Sequence, residues 1–414
     1  MIRVTSSAFA GDIAVAAYDA LNGDGVFRVA TGVTVPAGQR LTLRQGVIFK
    51  WDGNRSLTVN GGLDVQGTGL EPVVLTSLAD DEHGGDTLGD GAATAPAPGD
   101  WGGLLLGSGA QPGSLEHLLL RFGGSGAAAL DVDAASTGLR SVRVDSSAAD
   151  GARIGGSAGD LVNFVAFGCA GRGLVLQGGA FDVVHATVAL AGGAGVERLA
   201  GHTGSLVSSI AFGNPGGETV GFGAGEVLSS NVGPPFAGVD GNVDADPQFA
   251  DLAGGDLSLG AASPCLGAAD LLRAIAVGRD HLEASRVLDS ELTGAALPDM
   301  GAYERATFGL AVGGQPQLGT TLAFTPTGPA GTAFVSLGLL DQELFLPPFG
   351  MLLAGDLGGL LLLGTVPVGQ PVFVPVPDNV GLVDLPFGVQ ALALSLQAPG
   401  LGNLTHLYRG RVFP

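Results

Sequence analysis

Lysine is almost absent from this chain: Lys50 is the only one in 414 residues. Lysine and arginine together number 18 against 39 aspartate and glutamate residues, a formal net charge of −21 at pH 7. A surface this negative repels the phosphates of nucleic acids and the headgroups of anionic membranes. The composition therefore excludes both as partners, and the negative charge helps to keep a chain that is 46% apolar in solution.

Cysteine is scarce as well, with Cys169 and Cys265 as the only two. We interpret Cys169 as a buried free thiol rather than half of a disulfide, because it follows an apolar strand segment. Residues 1–10 lack the apolar run of about 7–15 residues that a secretory signal needs. We therefore expect that no signal peptide is present in this chain.

Uninterrupted apolar helices are missing too. Two runs without charged residues, 306–340 and 357–377, are broken by proline, glycine and polar residues. A membrane-spanning helix needs about 20 consecutive apolar residues. We interpret both runs as strands, and the sequence predicts no membrane span.

What the chain does have is a repeat. Between residues 115 and 225, pairs of apolar residues two positions apart recur every 22 or 23 residues. These pairs are Leu120/Phe122, Val142/Val144, Val165/Phe167, Val188/Leu190 and Ile210/Phe212. A second set, about ten residues further on, comprises Leu130/Val132, Ala152/Ile154, Leu174/Leu176 and Val196. Alternation predicts strands with one buried face, and the fixed phase predicts a solenoid.

A parallel β-helix accounts for this repeat best. In such a fold each coil stacks its inward side chains on those of the previous coil, so we expect Phe122, Phe167 and Phe212 to share one inward column with Val144 and Leu190. Leucine-rich repeats have a similar period, but they need a leucine-rich consensus with an asparagine or cysteine ladder. No such consensus occurs, and the glycine-rich connections disfavour a helical return.

Changes in the repeat pattern and in the spacing of apolar runs divide the chain into four parts. We predict an N-terminal cap at 1–28, the parallel β-helix at 29–237 with an acidic loop inserted at 77–100, a segment that closes the solenoid at 238–306, and a β-sandwich at 307–414. The last part loses the 22-residue phase and shows short apolar runs between glycine and proline turns, which is typical of an antiparallel sandwich. The predicted fold class is all-β.

Three stretches resemble secreted bacterial proteins with right-handed parallel β-helix repeats, the pectate-lyase-like superfamily. They are the opening coils (33–52), a late coil (208–217) and a closing set formed by 244–249, 263–266 and 298–304. The closing set resembles that of cell-surface proteins, and 318–413 is similar to a β-rich C-terminal module of secreted bacterial proteins. The resemblance implies an extracellular or cell-surface protein but no particular chemistry, because the fold hosts many functions.

The acidic loop is the candidate metal site. Ca²⁺ binds six to eight oxygens on flexible turns, and Asp80, Asp81, Asp86 and Asp90 offer carboxylates. The segment Asp86-Thr-Leu-Gly-Asp-Gly resembles half of a calcium loop, although Leu88 stands where a third ligand belongs. The alternative is an ordinary hydrated acidic loop.

A candidate binding face lies beside the core pairs. We expect His117, Arg121, Arg143 and Asp145 to point outward, followed in later coils by Ala166, Ala189 and Ala211. A pectate-type lyase would need clustered aspartates that hold Ca²⁺ and an arginine or lysine as the base. In the later coils this face carries alanine instead of charged residues, so we assign no catalytic residue. We expect Trp101 to pack in the core rather than to bind sugar.

These observations favour a secreted or cell-surface scaffold or adhesin without enzymatic activity. Candidate partners are an extracellular polysaccharide, a component of the cell envelope, or further copies of the chain. The alternative is a Ca²⁺-dependent polysaccharide lyase or hydrolase in which Arg121 or Arg143 acts as the base.

Overall fold

The computed structural model describes residues 2–8, 11–17, 25–133, 138–156, 159–289, 292–314, 316–338, 344–346, 350–352, 361–383, 385–398 and 400–412. The strands up to residue 259 are β1 (Ile2–Val4), β2 (Ile13–Val15), β3 (Val26–Val29), β4 (Val33–Val35), β5 (Arg40–Arg44), β6 (Ile48–Trp51), β7 (Ser56–Val59), β8 (Gly62–Gln66), β9 (Val73–Ser77), β10 (Gly103–Leu106), β11 (Ser114–Arg121), β12 (Leu130–Val132), β13 (Gly138–Asp145), β14 (Ala152–Ile154), β15 (Leu161–Val162), β16 (Val165–Phe167), β17 (Leu174–Leu176), β18 (Val183–Val184), β19 (Thr187–Ala189), β20 (Val196–Arg198), β21 (Leu206–Val207), β22 (Ile210–Phe212), β23 (Thr219–Val220), β24 (Val227–Leu228), β25 (Phe249–Asp251) and β26 (Asp256–Leu259).

The elements after residue 259 are α1 (Leu271–Val277), β27 (Gly309–Gly313), β28 (Thr321–Thr327), β29 (Gly331–Gly338), β30 (Leu344–Leu346), β31 (Gly350–Leu352), β32 (Leu361–Pro367), β33 (Val372–Pro375), a 3₁₀ turn (Val380–Leu382), β34 (Pro386–Ser395), β35 (Gly402–Leu404) and β36 (Tyr408–Arg411). The chain forms two compact units. The solenoid unit comprises Met1–Leu257 and Met300–Ala302, and the C-terminal unit comprises Ser258–Asp299 and Tyr303–Pro414. The boundaries that we placed at 237/238 and 306/307 stay predictions.

The solenoid unit is a parallel β-helix with three sheets around one core. Sheet A contains β2, β5, β8, the first half of β11 and of β13, and then β15, β18, β21 and β24. Sheet B contains β1, β3, β6, β9, the second halves of β11 and β13, and then β16, β19 and β22. Sheet C contains β4, β7, β10, β12, β14, β17, β20 and β23. The predicted all-β fold with a parallel β-helix is thus confirmed. Each complete coil contributes strands to three sheets, whereas we inferred two strands per coil.

Sheet A escaped the sequence analysis because its late strands contain only two residues each, for example Leu161–Val162 and Val183–Val184. Two residues show no alternation, so the period-2 pattern carries no signal there. Sheet C, in contrast, follows the second predicted set: Leu130, Ala152, Leu174 and Val196 stack in register in the core.

From β11 onward, one residue in each coil bends the chain from sheet A into sheet B, and in these coils its φ is positive. These residues are His117, Ser141, Asn163, His185, Ser208 and Ser229, with φ between 47° and 56°. Left-handed backbone is unfavourable for most side chains but is enriched in asparagine and histidine. Asn163 Nδ2 donates to Ser141 Oγ at 3.5 Å, so part of this buried polar column is bonded along the solenoid.

The predicted inward column of sheet B is wrong except at Val144, because Phe122, Phe167, Leu190 and Phe212 are not among the buried core residues. The stacked core positions are Leu120, Val144, Ala166, Val188 and Ala211. Phe167 and Phe212 belong instead to the outward column that continues Asp145 and Ala189. Phe122 and Leu190 have positive φ at the end of sheet B, and Leu190 is 39% exposed. Ala166 and Ala211, which we expected outside, are therefore core residues.

The C-terminal unit contains small antiparallel sheets, as predicted. β27, β28 and β33 form one sheet, β29, β32, β34, β35 and β36 form another, and β30 pairs with β31. Phe308, Phe324, Val335, Val389 and Tyr408 are among the residues of its core. That these sheets pack as a sandwich stays a prediction.

Other expectations about single residues are confirmed. Cys169 and Cys265 are both buried free thiols, and burial raises the pKa of Cys169 to about 12. Trp101 is fully buried and stacks on Trp51 with ring centroids 5.4 Å apart. Among the described residues, no helix is long and apolar enough to cross a membrane.

Candidate functional site

The candidate site is the outer surface of sheet B, where three of the four predicted binding residues lie. Arg121 and Asp145 are register partners in one outward column, and Arg143 lies in the neighbouring column. His117 is separated from them because it is the buried corner residue between sheets A and B. The structure therefore brings together Arg121, Arg143 and Asp145 but not His117.

In an earlier coil, the single lysine, Lys50, lies in the outward column that contains Arg121 and Asp145. Lys50 pairs in register with Arg28 on one side and with Thr76 on the other. Its side chain is buried, and Nζ donates to the carbonyl oxygens of Asp80 at 2.7 Å and Gly85 at 2.6 Å. Burial lowers the pKa of Lys50 below its ordinary value, although nearby aspartates oppose this. Lys50 thus holds the start of the acidic loop against sheet B.

Asp80 is the second anchor of that loop. Its carboxylate is 1% exposed and accepts hydrogen bonds from Thr76 Oγ1 at 2.6 Å and from Arg121 Nη1 at 3.1 Å. Arg121 Nη2 also lies 2.6 Å from Glu82 Oε2, and Arg121 Nη1 lies 2.9 Å from His83 Nδ1. Burial raises the pKa of Asp80, but hydrogen bonds from His83 and Thr76 and the charge of Arg121 outweigh it, so the pKa is below its ordinary value.

The predicted calcium ligands do not converge. Asp86 is exposed, and its carboxylate accepts the backbone N–H groups of Gly89 at 2.7 Å and Gly91 at 2.8 Å. Asp90 accepts the hydroxyl of Thr94 at 3.0 Å. Within the described part of the chain, the only close set of three potential metal-ligating side chains is Asp80, Glu82 and His83. The guanidinium of Arg121 contacts all three, so the residues present do not fit Ca²⁺.

Downstream, a second segment covers sheet B. Arg143 Nε donates to both carboxylate oxygens of Asp145 at 2.8 and 2.9 Å, and its Nη2 donates to the carbonyl of Gly255 at 2.9 Å. Phe249 packs edge-on against Phe212 with centroids 6.3 Å apart. The arginine that could have served as a base is therefore engaged by its own coil and by the segment that lies over it.

A third segment, residues 300–302, covers the last coils of sheet B. The N–H of Gly301 donates to the carbonyl of Ser208 at 2.8 Å, and that of Ala302 donates to Thr187 Oγ1 at 2.8 Å. Gly301 has φ of +87°, and a Cβ atom there would lie 2.8 Å from Ile210 Cδ1. Only glycine allows the backbone to approach so closely.

Sequence reasoning missed these covering segments, although one signal was available. The outward positions Val165, Phe167, Ile210 and Phe212 are apolar, and so are the inward ones. A strand that is apolar on both faces is typical of a sheet that is buried on both faces. The outer face that we predicted to carry alanines therefore carries mainly these larger apolar side chains, and it is covered.

Burial of Lys50 has a direct chemical consequence. Because Nζ is enclosed and donates to two carbonyls, we expect an amine-reactive ester to modify Lys50 far more slowly in the folded chain than in urea, and mass spectrometry of the Lys50 peptide measures this. Arg121→Met removes the contacts that hold Asp80 and should speed the reaction. Arg153→Met, on sheet C, is the matched control and should leave it unchanged. Equally fast labelling of the folded and unfolded chains would contradict the burial.

The C-terminal unit contains a separate buried charged cluster, Asp280, Arg286, Asp299 and Glu304. Arg286 Nη1 lies 3.2 Å from Glu304 Oε1, and both oxygens of Glu304 accept the N–H of Asp299, at 2.9 and 3.1 Å. Asp280 accepts the N–H of Glu304 at 2.9 Å, and Asp299 accepts that of Gly267 at 2.8 Å. These carboxylates hold the backbone of the closing segment together.

We expect this cluster to make the C-terminal unit more stable as the pH falls from 7 to 5. Burial raises the pKa of Asp280 to about 6 and that of Glu304 well above its ordinary value. The folded acids bind protons that the unfolded acids have released, so stability present below about pH 4 is lost as the pH rises through the folded pKa values. For Asp280 alone, the rise in pKa from 3.8 to about 6 corresponds to on the order of 3 kcal/mol between pH 7 and pH values below about 4, and roughly half of this change falls between pH 7 and pH 5.

Unfolding of a Tyr18→Phe variant, in which Tyr303 and Tyr408 are the remaining tyrosines, tests this dependence when tyrosine absorbance is followed at each pH. His406, whose pKa is lowered by burial, opposes it, so the variant comparison is decisive: Glu304→Gln should flatten the profile. Asp378→Asn, at an exposed position of the same unit, is the control. An unchanged profile in Glu304→Gln would mean that this carboxyl group does not take up a proton on folding.

No family model, curated protein or solved structure matches the chain. The likeness to pectate-lyase-like proteins beyond the parallel β-helix itself therefore stays a prediction.

Proposed function

We propose that this protein is a non-enzymatic β-helix scaffold or adhesin of the cell surface or the extracellular space. The observation that carries the proposal is the covering of sheet B. Residues 80–85, 249–255 and 300–302 lie over the face on which a polysaccharide lyase of this architecture would need an open charged groove.

The charged groups of that face support the same conclusion. Arg121 is bound to Asp80 and Glu82, and Arg143 is bound to Asp145. A general base must reach the proton that it removes, and these contacts engage both guanidinium groups. The proposed role of these residues is to fasten the covering segments, which keeps a long, regular outer surface.

The proposed setting is extracellular, with polysaccharide, a cell-envelope component or further copies of the chain as partners. The net charge of −21 supports a chain that stays dispersed in solution, because like charge keeps apolar β-rich chains apart. The same repulsion counts against further copies of the chain as partners. Light scattering over a concentration series tests self-assembly: a constant particle mass would remove further copies of the chain from these partners.

Incubation of the purified chain with acidic and neutral polysaccharides, with and without Ca²⁺, tests the absence of catalysis. We expect neither new reducing ends nor the ultraviolet absorbance of unsaturated uronates. Turnover that is lost in both Arg121→Ala and Arg143→Ala but kept in Arg153→Ala would overturn the proposal and restore the lyase or hydrolase as the function.

A further inference from the structure

A recess opens at the corner between sheets C and A, on the opposite side of sheet A from sheet B. At this corner, three consecutive turns connect sheet C to sheet A. The first turn is 36–39, between β4 and β5, and the third is 107–113, between β10 and β11. The middle turn contains only Asn60 and Gly61. Because the middle turn is shorter than both neighbours, the surface is notched there, and the notch has a volume of about 390 Å³.

Glycine keeps the floor of this recess open. A Cβ atom at Gly62 would lie 2.8 Å from the guanidinium carbon of Arg40, so a side chain there would displace that arginine. At Gly109, on the rim, a Cβ atom would meet nothing within 4 Å. The volume falls in the range of about 300–1,000 Å³ that is usual for ligand pockets.

The polar lining comes from Asp12, Gln39, Arg40, Asn60 and Gln111. No hydrogen bond joins the side-chain amides of Gln39, Asn60 or Gln111 to another side chain or to the backbone in the described ranges. Each amide offers both donors and an acceptor. No aromatic residue lines the described part of the recess, whereas most pockets for drug-like ligands and cofactors are apolar and aromatic.

The charge of the recess disfavours anions. Arg40 Nη1 lies 2.7 Å from Asp64 Oδ2, and the backbone N–H of Arg40 donates to Asp12 at 2.8 Å. Arg40, the only cation among the described residues of the lining, is thus already paired, and the chain as a whole is strongly negative. A carboxylate or phosphate ligand would therefore meet repulsion, whereas a neutral ligand rich in hydroxyl groups would not.

We infer that this recess binds a short stretch of neutral polysaccharide. Sugar hydroxyls both donate and accept, which matches the three amides. Parallel coils lie about 4.8 Å apart, so the three turns span roughly 10 Å, a length that two linked pyranose rings cover. This inference rests on the proposed adhesin function, because it names the ligand class of that function. A site without aromatic rings for stacking reaches a higher overall avidity when several sites bind the same polysaccharide.

Calorimetric titration with neutral hexasaccharides of glucose, mannose and xylose, and with a hexagalacturonate, tests the inference. At least one neutral sugar should bind the wild-type chain more tightly than the acidic one. Gly109→Leu adds an apolar side chain to the lining of the recess without a φ penalty or a clash at Cβ, and we expect its affinity for that sugar to be at least about tenfold lower. Asn60→Ala removes one amide at an exposed position and should also weaken binding.

Gly126→Leu is the matched control, because Gly126 also meets nothing within 4 Å, has no positive φ and lies outside the recess. Its affinity should equal that of the wild type. Absence of binding by every neutral sugar, binding unaffected by Gly109→Leu and Asn60→Ala, or tighter binding of the acidic sugar would each overturn the inference. The proposed function fails on a different measurement, the turnover of polysaccharide.

Discussion

Replacing Arg286 with leucine is expected to destabilise the C-terminal unit by about 3–5 kcal/mol, because removal of one partner leaves buried charge without compensation. The Arg286 side chain is 0% exposed and lies against Glu304, which is 1% exposed. Its charge also lowers the pKa values of Asp280 and Asp299 against the effect of burial. All three acids are buried as well, so they depend on this guanidinium for a compensating charge.

In a Tyr18→Phe background the two units can be followed separately, because both tryptophans, Trp51 and Trp101, are in the solenoid unit and both remaining tyrosines are in the C-terminal unit. For Arg286→Leu, the unfolding transition seen by Tyr303 and Tyr408 should shift to lower denaturant while the tryptophan transition stays in place. Arg273→Leu, on the half-buried side of α1, is the control and should change stability by about 1 kcal/mol or less. A shift of that small size for Arg286→Leu would show that the cluster does not depend on its cation.

Gly301→Ala should destabilise the solenoid unit by about 2–4 kcal/mol. About 1–2 kcal/mol comes from placing a Cβ atom on left-handed backbone. The remainder comes from overpacking, since that atom would lie 2.7 Å from Thr187 Oγ1 and 2.8 Å from Ile210 Cδ1. Denaturant unfolding monitored by tryptophan fluorescence measures the loss.

Gly53→Ala separates these two contributions. Gly53 has φ of +81° in the same unit, but a Cβ atom there would meet nothing within 4 Å. It should therefore show the backbone penalty alone. Equal losses for Gly301→Ala and Gly53→Ala would mean that residues 300–302 do not press against sheet B.

The coil period and sheet C were predictable from the sequence because the outer face of sheet C carries polar residues that face solvent. Asp131 and Arg153 alternate with Leu130 and Ala152 along β12 and β14, so polarity identifies which side is inside. In sheet B the same reasoning failed. Val165, Ala166 and Phe167 are all apolar, and a shift of one residue exchanges the two faces.

The candidate site could be predicted only in part for a related reason. Arg121, Arg143 and Asp145 were correctly placed on one outer face, since strand periodicity determines direction. Whether that face is open depends on residues up to 112 positions away, such as Gly255 against Arg143. Likewise, the acidic residues of the loop suggested a Ca²⁺ site, but the guanidinium of Arg121, which belongs to a later coil, pairs with Asp80 and Glu82.

By itself, the sequence determined that this chain is a parallel β-helix followed by antiparallel sheets, and its net charge of −21 predicts that polyanions are not its partners. These properties follow from local periodicity and from net charge, which need no knowledge of distant contacts. Only the tertiary structure decided which side of sheet B faces the core, that three distant segments cover its outer surface, and that a short turn between two longer ones opens a recess. Each of these depends on side chains and turns that are far apart in the chain and meet only when the coils stack.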